Sequence, residues 1–257
     1  MQTSNQPNKN PVNKTCGQRL SCLASLAGGI IHEMHNGIGA IRSNAQALQL
    51  TRTKQNAEHL SFLEGAVDRM QELTQMLMLY TRDAVVDLER VPVQPIIENT
   101  IKTLKASPEF QDVEFRQEYA NTRKLSAYTN ANLLKRSIEA LLRNAGEALG
   151  TEKRKISIHL SQGDHIECES GKVILGSPDA NTPYLHLRIE DTGCGIAAGI
   201  LPLIFDPFFT TKLRARGLGL AHVVGLVQLT NCILSCQTHL QKGTAFTLCI
   251  PSDNSTP

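Results

Sequence analysis

At 257 residues, with 41% hydrophobic but only 4% aromatic content and no Trp, the chain has material for one large domain or two smaller ones built on aliphatic packing. Its formal net charge of +2, without a basic stripe, argues against a nucleic-acid partner, and seven cysteines with no C-x-x-C spacing favour a reducing compartment over a disulfide framework or zinc site. No apolar run approaches the ~20 residues needed to cross a bilayer and residues 1–15 are too polar for a signal peptide, so a cytoplasmic protein without a membrane segment is expected.

Residues 1–18, rich in Asn, Gln, Pro and Lys, read as a disordered lead-in. A helix follows from about Arg19 to Arg52. Leu20, Ala27, Met34, Ile41 and Leu48 recur along it every seven residues, with Leu23, Ile30, Ile38 and Ala45 completing an apolar stripe. At roughly 100° per residue, His32 points about 170° away from that stripe, with His35 and Asn36 one turn on. A second periodic segment (Leu60, Leu63, Val67, Met70, Thr74, Leu77) follows a short polar connection, which predicts an antiparallel helical hairpin. Such a hairpin cannot cover its own apolar face, whereas two copies forming a four-helix bundle can, so residues 19–83 predict a homodimer.

Beyond a linker at 84–94 the pattern changes. A helix is expected at about Pro95–Lys105, a strand at Val113–Tyr119 and a long helix at Asn130–Leu149 capped by Asn130 or Asn132. Lys155–Leu160 and Tyr184–Glu190 alternate as paired strands, separated by a long polar excursion, Ser161–Pro183, with a possible hairpin at His165–Glu169 and Lys172–Leu175. A Gly-rich turn (Asp191–Gly195), an aromatic turn (Phe205–Lys212), a helix at Gly217–Leu229 and strands near Ile233–Thr238 and Thr244–Ile250 complete the segment. The fold class expected is α+β: the hairpin, then a two-layer α/β sandwich over 95–251 and a short tail at 252–257.

Several motifs stand in order. They are His32-Glu33-Met34-His35-Asn36-Gly37, Leu141-Leu142-Arg143-Asn144-Ala145-Gly146-Glu147-Ala148, Asp191-Thr192-Gly193-Cys194-Gly195, Phe205-Asp206-Pro207-Phe208-Phe209-Thr210-Thr211-Lys212, Gly217-Leu218-Gly219-Leu220 and Gly243-Thr244-Ala245-Phe246. Any one glycine motif is weak, but the ordered set resembles the core of sensor histidine kinases over residues 19–251: phosphoacceptor box, N box, first glycine box, aromatic box and second glycine box. The resemblance implies ATP and Mg2+ as cofactors, and a protein-histidine kinase that phosphorylates His32 and passes the group to an Asp of a response-regulator receiver. It also implies Glu33 as base and Asn36 as the residue that orients water for dephosphorylating the receiver. Asn144 matches the magnesium ligand and Asp191 the acceptor for the adenine amino group. Gly193, Gly195, Lys212, Gly217, Leu218, Gly219 and Thr244 complete the nucleotide site, with Lys212 or Arg214 adding charge near the phosphates. The chemistry is coherent: a neutral exposed imidazole is a good phosphoryl acceptor, and glycine-rich turns before a helix present amides to phosphate.

Four positions depart from the pattern. Gly37 replaces Pro after Asn36, retaining a hinge; Ala140 stands where the first Asn of the N box is usual; Ala215 replaces a lid glycine; and His35 occupies a position often held by Arg. Ala140 and Ala215 motivate an alternative, an ATP-binding regulator or phosphatase-biased protein with weak or no kinase activity. An ATPase of the gyrase type is disfavoured, because the Glu those enzymes use as base would fall at Ala140.

Overall fold

The computed structural model describes residues 36–46, 86–120, 125–151, 154–163, 173–177, 182–212 and 217–252, and outside these stretches residues 34, 48, 60, 62, 63, 65–67, 70 and 179. They fall into two compact units, Met1–Asp83 and Ala84–Pro257.

In the first unit, helix α1 is described over 36–46 with residues 34 and 48, and helix α2 at the described positions between 60 and 70. Gly37 is buried against α2: a Cβ there would lie 3.1 Å from Met70 Cγ and 3.9 Å from the Ala66 carbonyl oxygen. The residue in the proline position of the motif therefore lets two helices approach closely, with Ala66 fully buried. Ile38 and Phe62 remain 49% and 62% exposed, so a single copy leaves apolar surface uncovered. His32, Glu33, His35 and the turn of the hairpin lie outside the described residues.

The second unit holds a six-stranded mixed sheet in the order β2-β4-β6-β8-β7-β5, formed by β2 (Glu114–Tyr119), β4 (Lys155–Gly163), β5 (Val173–Leu175), β6 (Tyr184–Asp191), β7 (Ile233–His239) and β8 (Gly243–Pro251). Among the described strands only the β2–β4 pairing is parallel. Period-two alternation turns Ile156, Ile158 and Leu160 of β4, Leu187 and Ile189 of β6, and Phe246 and Leu248 of β8 toward one face. Helices α3 (Val93–Lys105), α4 (Ala131–Ala148) and α5 (Gly219–Thr230) supply the other layer of the same core, through Ile97, Ile101, Leu141, Leu142, Val223 and Leu226. Burying each such Leu or Ile side chain contributes about 1.5–3 kcal/mol. Cys232 and Cys236 pack in this core, where burial pushes both thiols up to about 12. This is the two-layer α/β sandwich expected. No helix among the described residues is long and apolar enough to cross a membrane.

Three details differ from the sequence reading. Residues 89–94, read as the end of a linker, form strand β1 (Glu89–Pro92) and the first turn of α3; β1 pairs antiparallel with β3 (Ser126–Thr129) in a separate two-stranded sheet. Strand β4 runs on to Gly163 and pairs there with Tyr184, so the excursion is shorter than its polarity suggests. Val173–Leu175, read as half of a local hairpin, instead pairs with β7 at the far edge of the sheet. Helix α4 takes Asn130 as its cap, the side chain accepting from Leu133 N–H at 3.0 Å.

Candidate functional site

Strand β6 turns Leu185, Leu187 and Ile189 toward the helices, and the same period puts Asp191, its last residue, on that inner face. The carboxylate is only 4% exposed. Its Oδ1 accepts from Gly193 N–H at 2.8 Å and from Thr244 N–H of neighbouring β8 at 3.3 Å. Burial holds the group above the usual carboxylate pKa; the two amides and the charge of Lys212 oppose this, while Glu190 adds to it. Oδ2 takes no hydrogen bond from the described residues and is not among the fully buried unpaired atoms, so an accessible acceptor is left for a donor arriving from outside.

The turn after β6 is fixed by close approach. A Cβ on Gly193 would sit 2.5 Å from the Ala148 carbonyl oxygen and 2.7 Å from Asp191 Oδ1, so only glycine lets this amide reach the carboxylate. Cys194 N–H donates to Ala148 O at 3.1 Å, tying the turn to the end of α4. Thr238 Oγ1 accepts from Ile196 N–H at 2.8 Å and lies 3.0 Å from Thr244 Oγ1, which holds Thr244 in place behind Asp191.

Helix α4 buries Leu134, Ile138, Leu141, Leu142 and Ala145, and the border of that stripe carries Ala140, Asn144 and Glu147 along one line. The Lys212 ammonium reaches this line from the end of the aromatic turn, donating to Glu147 Oε2 at 2.6 Å and to Asn144 Oδ1 at 3.4 Å. Phe205 is core, edge-on to Phe246 with ring centroids 6.5 Å apart. Phe208 adopts φ 66, an unusual conformation for a bulky residue, and its N–H donates to Gly217 O at 3.0 Å. That bond joins the two ends of the loop leading into α5. Gly217 itself has φ 67 and lies against the Phe208 and Phe209 backbone, which leaves no room for a side chain.

Helix α5 starts at Gly219, after Leu218, with no side-chain cap and no acidic residue in its first turn. Its first amide groups therefore lack intrahelical partners and favour an anion. Ala140 is the neighbour of Gly219 across the helix pair, 3.7 Å from where its Cβ would stand. One turn further into α5, His222 is held below the ordinary imidazole pKa by burial and by the charge of Arg136 on α4.

The second unit thus gathers Asn144, Asp191, Gly193, Thr244 and Lys212 at one end of the sandwich. Gly195 lies in the same turn as Gly193, and Gly217, Leu218 and Gly219 lead into α5. Asn36 is exposed on α1 in the first unit. The motif alone gives Glu147 no role; its place three residues after Asn144 on a helix is the available signal. Among the described residues no group of three or more His, Cys, Asp and Glu could hold a metal. An amide oxygen and one carboxylate nonetheless suit a hard divalent cation that takes its remaining ligands from a nucleotide and water.

Helices on one face of a mixed sheet, a buried carboxylate backed by a glycine turn, and an uncapped helix start define an ATPase-type sandwich. Residues 129–254 match the family model described as histidine kinase-, DNA gyrase B-, and HSP90-like ATPase. Over 91% of its length the chain is 28% identical to the signal transduction histidine-protein kinase AtoS of Escherichia coli (strain K12), and it is 25% identical over 90% to the sensory histidine kinase/phosphatase NtrB of Rhizobium meliloti (strain 1021). It spans 36% and 59% of those proteins. The fold is shared with full-length ShkA in complex with AMPPNP (TM-score 0.60, 16% identity, 89% of this chain and 46% of that one). It is shared too with the Acinetobacter baumannii histidine kinase AdeS (TM-score 0.56, 19% identity, 87% and 98%). Over about nine-tenths of its length the chain is therefore similar to the cores of histidine kinases.

Proposed function

We propose that this chain is an ATP-dependent protein-histidine kinase that phosphorylates its own His32 and passes the group to an Asp of a response-regulator receiver. The observation that carries the reading is the Asp191 carboxylate, with one oxygen held by two backbone amides and the other open, in a unit whose helix α5 starts uncapped. The open oxygen accepts from an adenine amino group, and the α5 amides with Lys212 meet the phosphates. Asn144 would hold a Mg2+ ion bound with the nucleotide, and the ion would supply charge neutralisation on the triphosphate. In the transfer the neutral His32 imidazole attacks the γ-phosphorus, the bond to the β-phosphate oxygen breaks, ADP leaves, and Glu33 takes the imidazole proton. In the reverse sense, Asn36 orients a water that hydrolyses a receiver's aspartyl phosphate; the name of the NtrB relative, kinase and phosphatase, supports that second role. Exposed Ile38 and Phe62 support a homodimer through the helical hairpin, with Gly37 both hinge and packing residue.

Incubation with γ-labelled ATP and Mg2+ tests this. Acid-labile label is expected on the wild type and absent from His32→Ala; label persisting in that variant overturns the assignment of His32. A second reading, a phosphatase-biased regulator, is favoured by the methyl group of Ala140 opposite Gly219, which puts no polar group beside the α5 start. Nucleotide binding without label, together with Asn36-dependent loss of label from a phosphorylated receiver, selects that reading.

A further inference from the structure

Lys212 crosses from the aromatic turn to α4 and ends between two oxygens, 2.6 Å from Glu147 Oε2 and 3.4 Å from Asn144 Oδ1. The two acceptors are presented side by side because they stand three residues apart on one helix. A carboxylate and an amide oxygen converging on one point suit a cation of either kind, an ammonium or a hard divalent metal. Both partners of the ion pair are substantially exposed, with side-chain accessibilities of 37% for Lys212 and 48% for Glu147. Water screens the pair, so it breaks readily. The lysine is a compact charge on a flexible four-carbon stem at the base of the α5 loop, and its charge acts on Asp191 as well. Its side chain can leave α4 without breaking a backbone contact. If Lys212 left and no cation replaced it, Glu147 would face the phosphates as an uncompensated negative charge.

We propose that Asn144 and Glu147 form a two-oxygen cation seat on α4, filled by Lys212 in the nucleotide-free protein and by the divalent metal once metal–nucleotide binds. This rests on the ATP site described above and adds Glu147 to it. In the exchange the seat always holds one cation: Lys212 moves to the phosphates as the metal takes its place. Glu147 thereby sets how strongly nucleotide binding depends on the metal, and Lys212 acts as the metal's tethered competitor.

The test uses the full chain, a fluorescent ATP analogue and a Mg2+ titration, with nucleotide affinity also measured in EDTA. Glu147→Gln is expected to raise the Mg2+ concentration for half-maximal effect roughly tenfold, the scale of one lost charge-assisted contact, and to raise affinity in EDTA because a repelling carboxylate is gone. Lys212→Met is expected to do the reverse on both axes: a lower Mg2+ midpoint and weaker binding in EDTA. A purely structural ion pair would move both variants the same way. Midpoints that stay at the wild-type value, or that shift in the same direction, overturn the proposal. Wild-type protein that binds no nucleotide with or without Mg2+ overturns the ATP reading itself, a result separable from failure of the exchange.

Discussion

Asp191 concentrates the chemistry of the second unit in one side chain, and its environment gives a sharp test. Asp191→Asn keeps Oδ1 for the Gly193 and Thr244 amides but turns an NH2 group to the place where Oδ2 accepts. Donor then faces donor, and nucleotide affinity should fall roughly 10–100-fold, while the thermal midpoint holds or rises because a buried charge is gone. The pH dependence follows from the raised pKa. Between the unfolded value, about 3.9, and the higher folded value, the folded state binds one more proton than the unfolded state. This carboxylate's stabilising share is therefore fully present below the unfolded pKa and is lost as pH rises through the folded one. Wild-type stability should show that slope above the ordinary carboxylate pKa and Asp191→Asn should lack it, as measured by denaturant midpoints across pH. Asp191 was legible in the sequence because it closes an alternating strand just ahead of Gly-x-Gly. The pairing of Glu147 was not, since it depends on where a chain segment 65 residues away folds back.

Helix α4 shows what a motif glycine does when its role is packing. Gly146 stands inside the helix, where it costs about 1 kcal/mol relative to Ala, yet a Cβ there would strike the ring of buried Phe110. Gly146→Ala should therefore destabilise by about 1–3 kcal/mol despite its better helix propensity, seen as a lower thermal midpoint; an unchanged or raised midpoint would refute the packing account. The long helix and the strands carrying three or more alternating apolar residues were readable, because their periods persist over enough positions. Strand β1 was not: Glu89-Arg90-Val91-Pro92 has one buried apolar residue, Val91, and its partner β3 is as short. The pairing of β5 escaped for another reason, since three residues carry no information about which edge they will join.

At the level of the molecule, the division into an α-helical hairpin and an α/β sandwich was legible from the change of period after residue 82. The sandwich closes its own core, whereas the described part of the hairpin leaves Ile38, Leu60, Phe62 and Val67 exposed. The path of the chain between β4 and β6 has a further consequence. Gly163 and Tyr184 are direct partners, so this crossing needs no more than a tight turn. Replacing residues 164–183 by a two-residue Asn-Gly turn should leave Asp191, Asn144 and nucleotide affinity intact. The same deletion strips β7 of its outer neighbour and bares a strand whose Ile233, Leu234 and Cys236 are otherwise buried. An open hydrophobic edge of that kind templates intermolecular strand pairing, so the shortened protein should aggregate on concentration or warming, as followed by light scattering. By that measure the excursion acts as a guard against amyloid-like growth from the edge of the sheet.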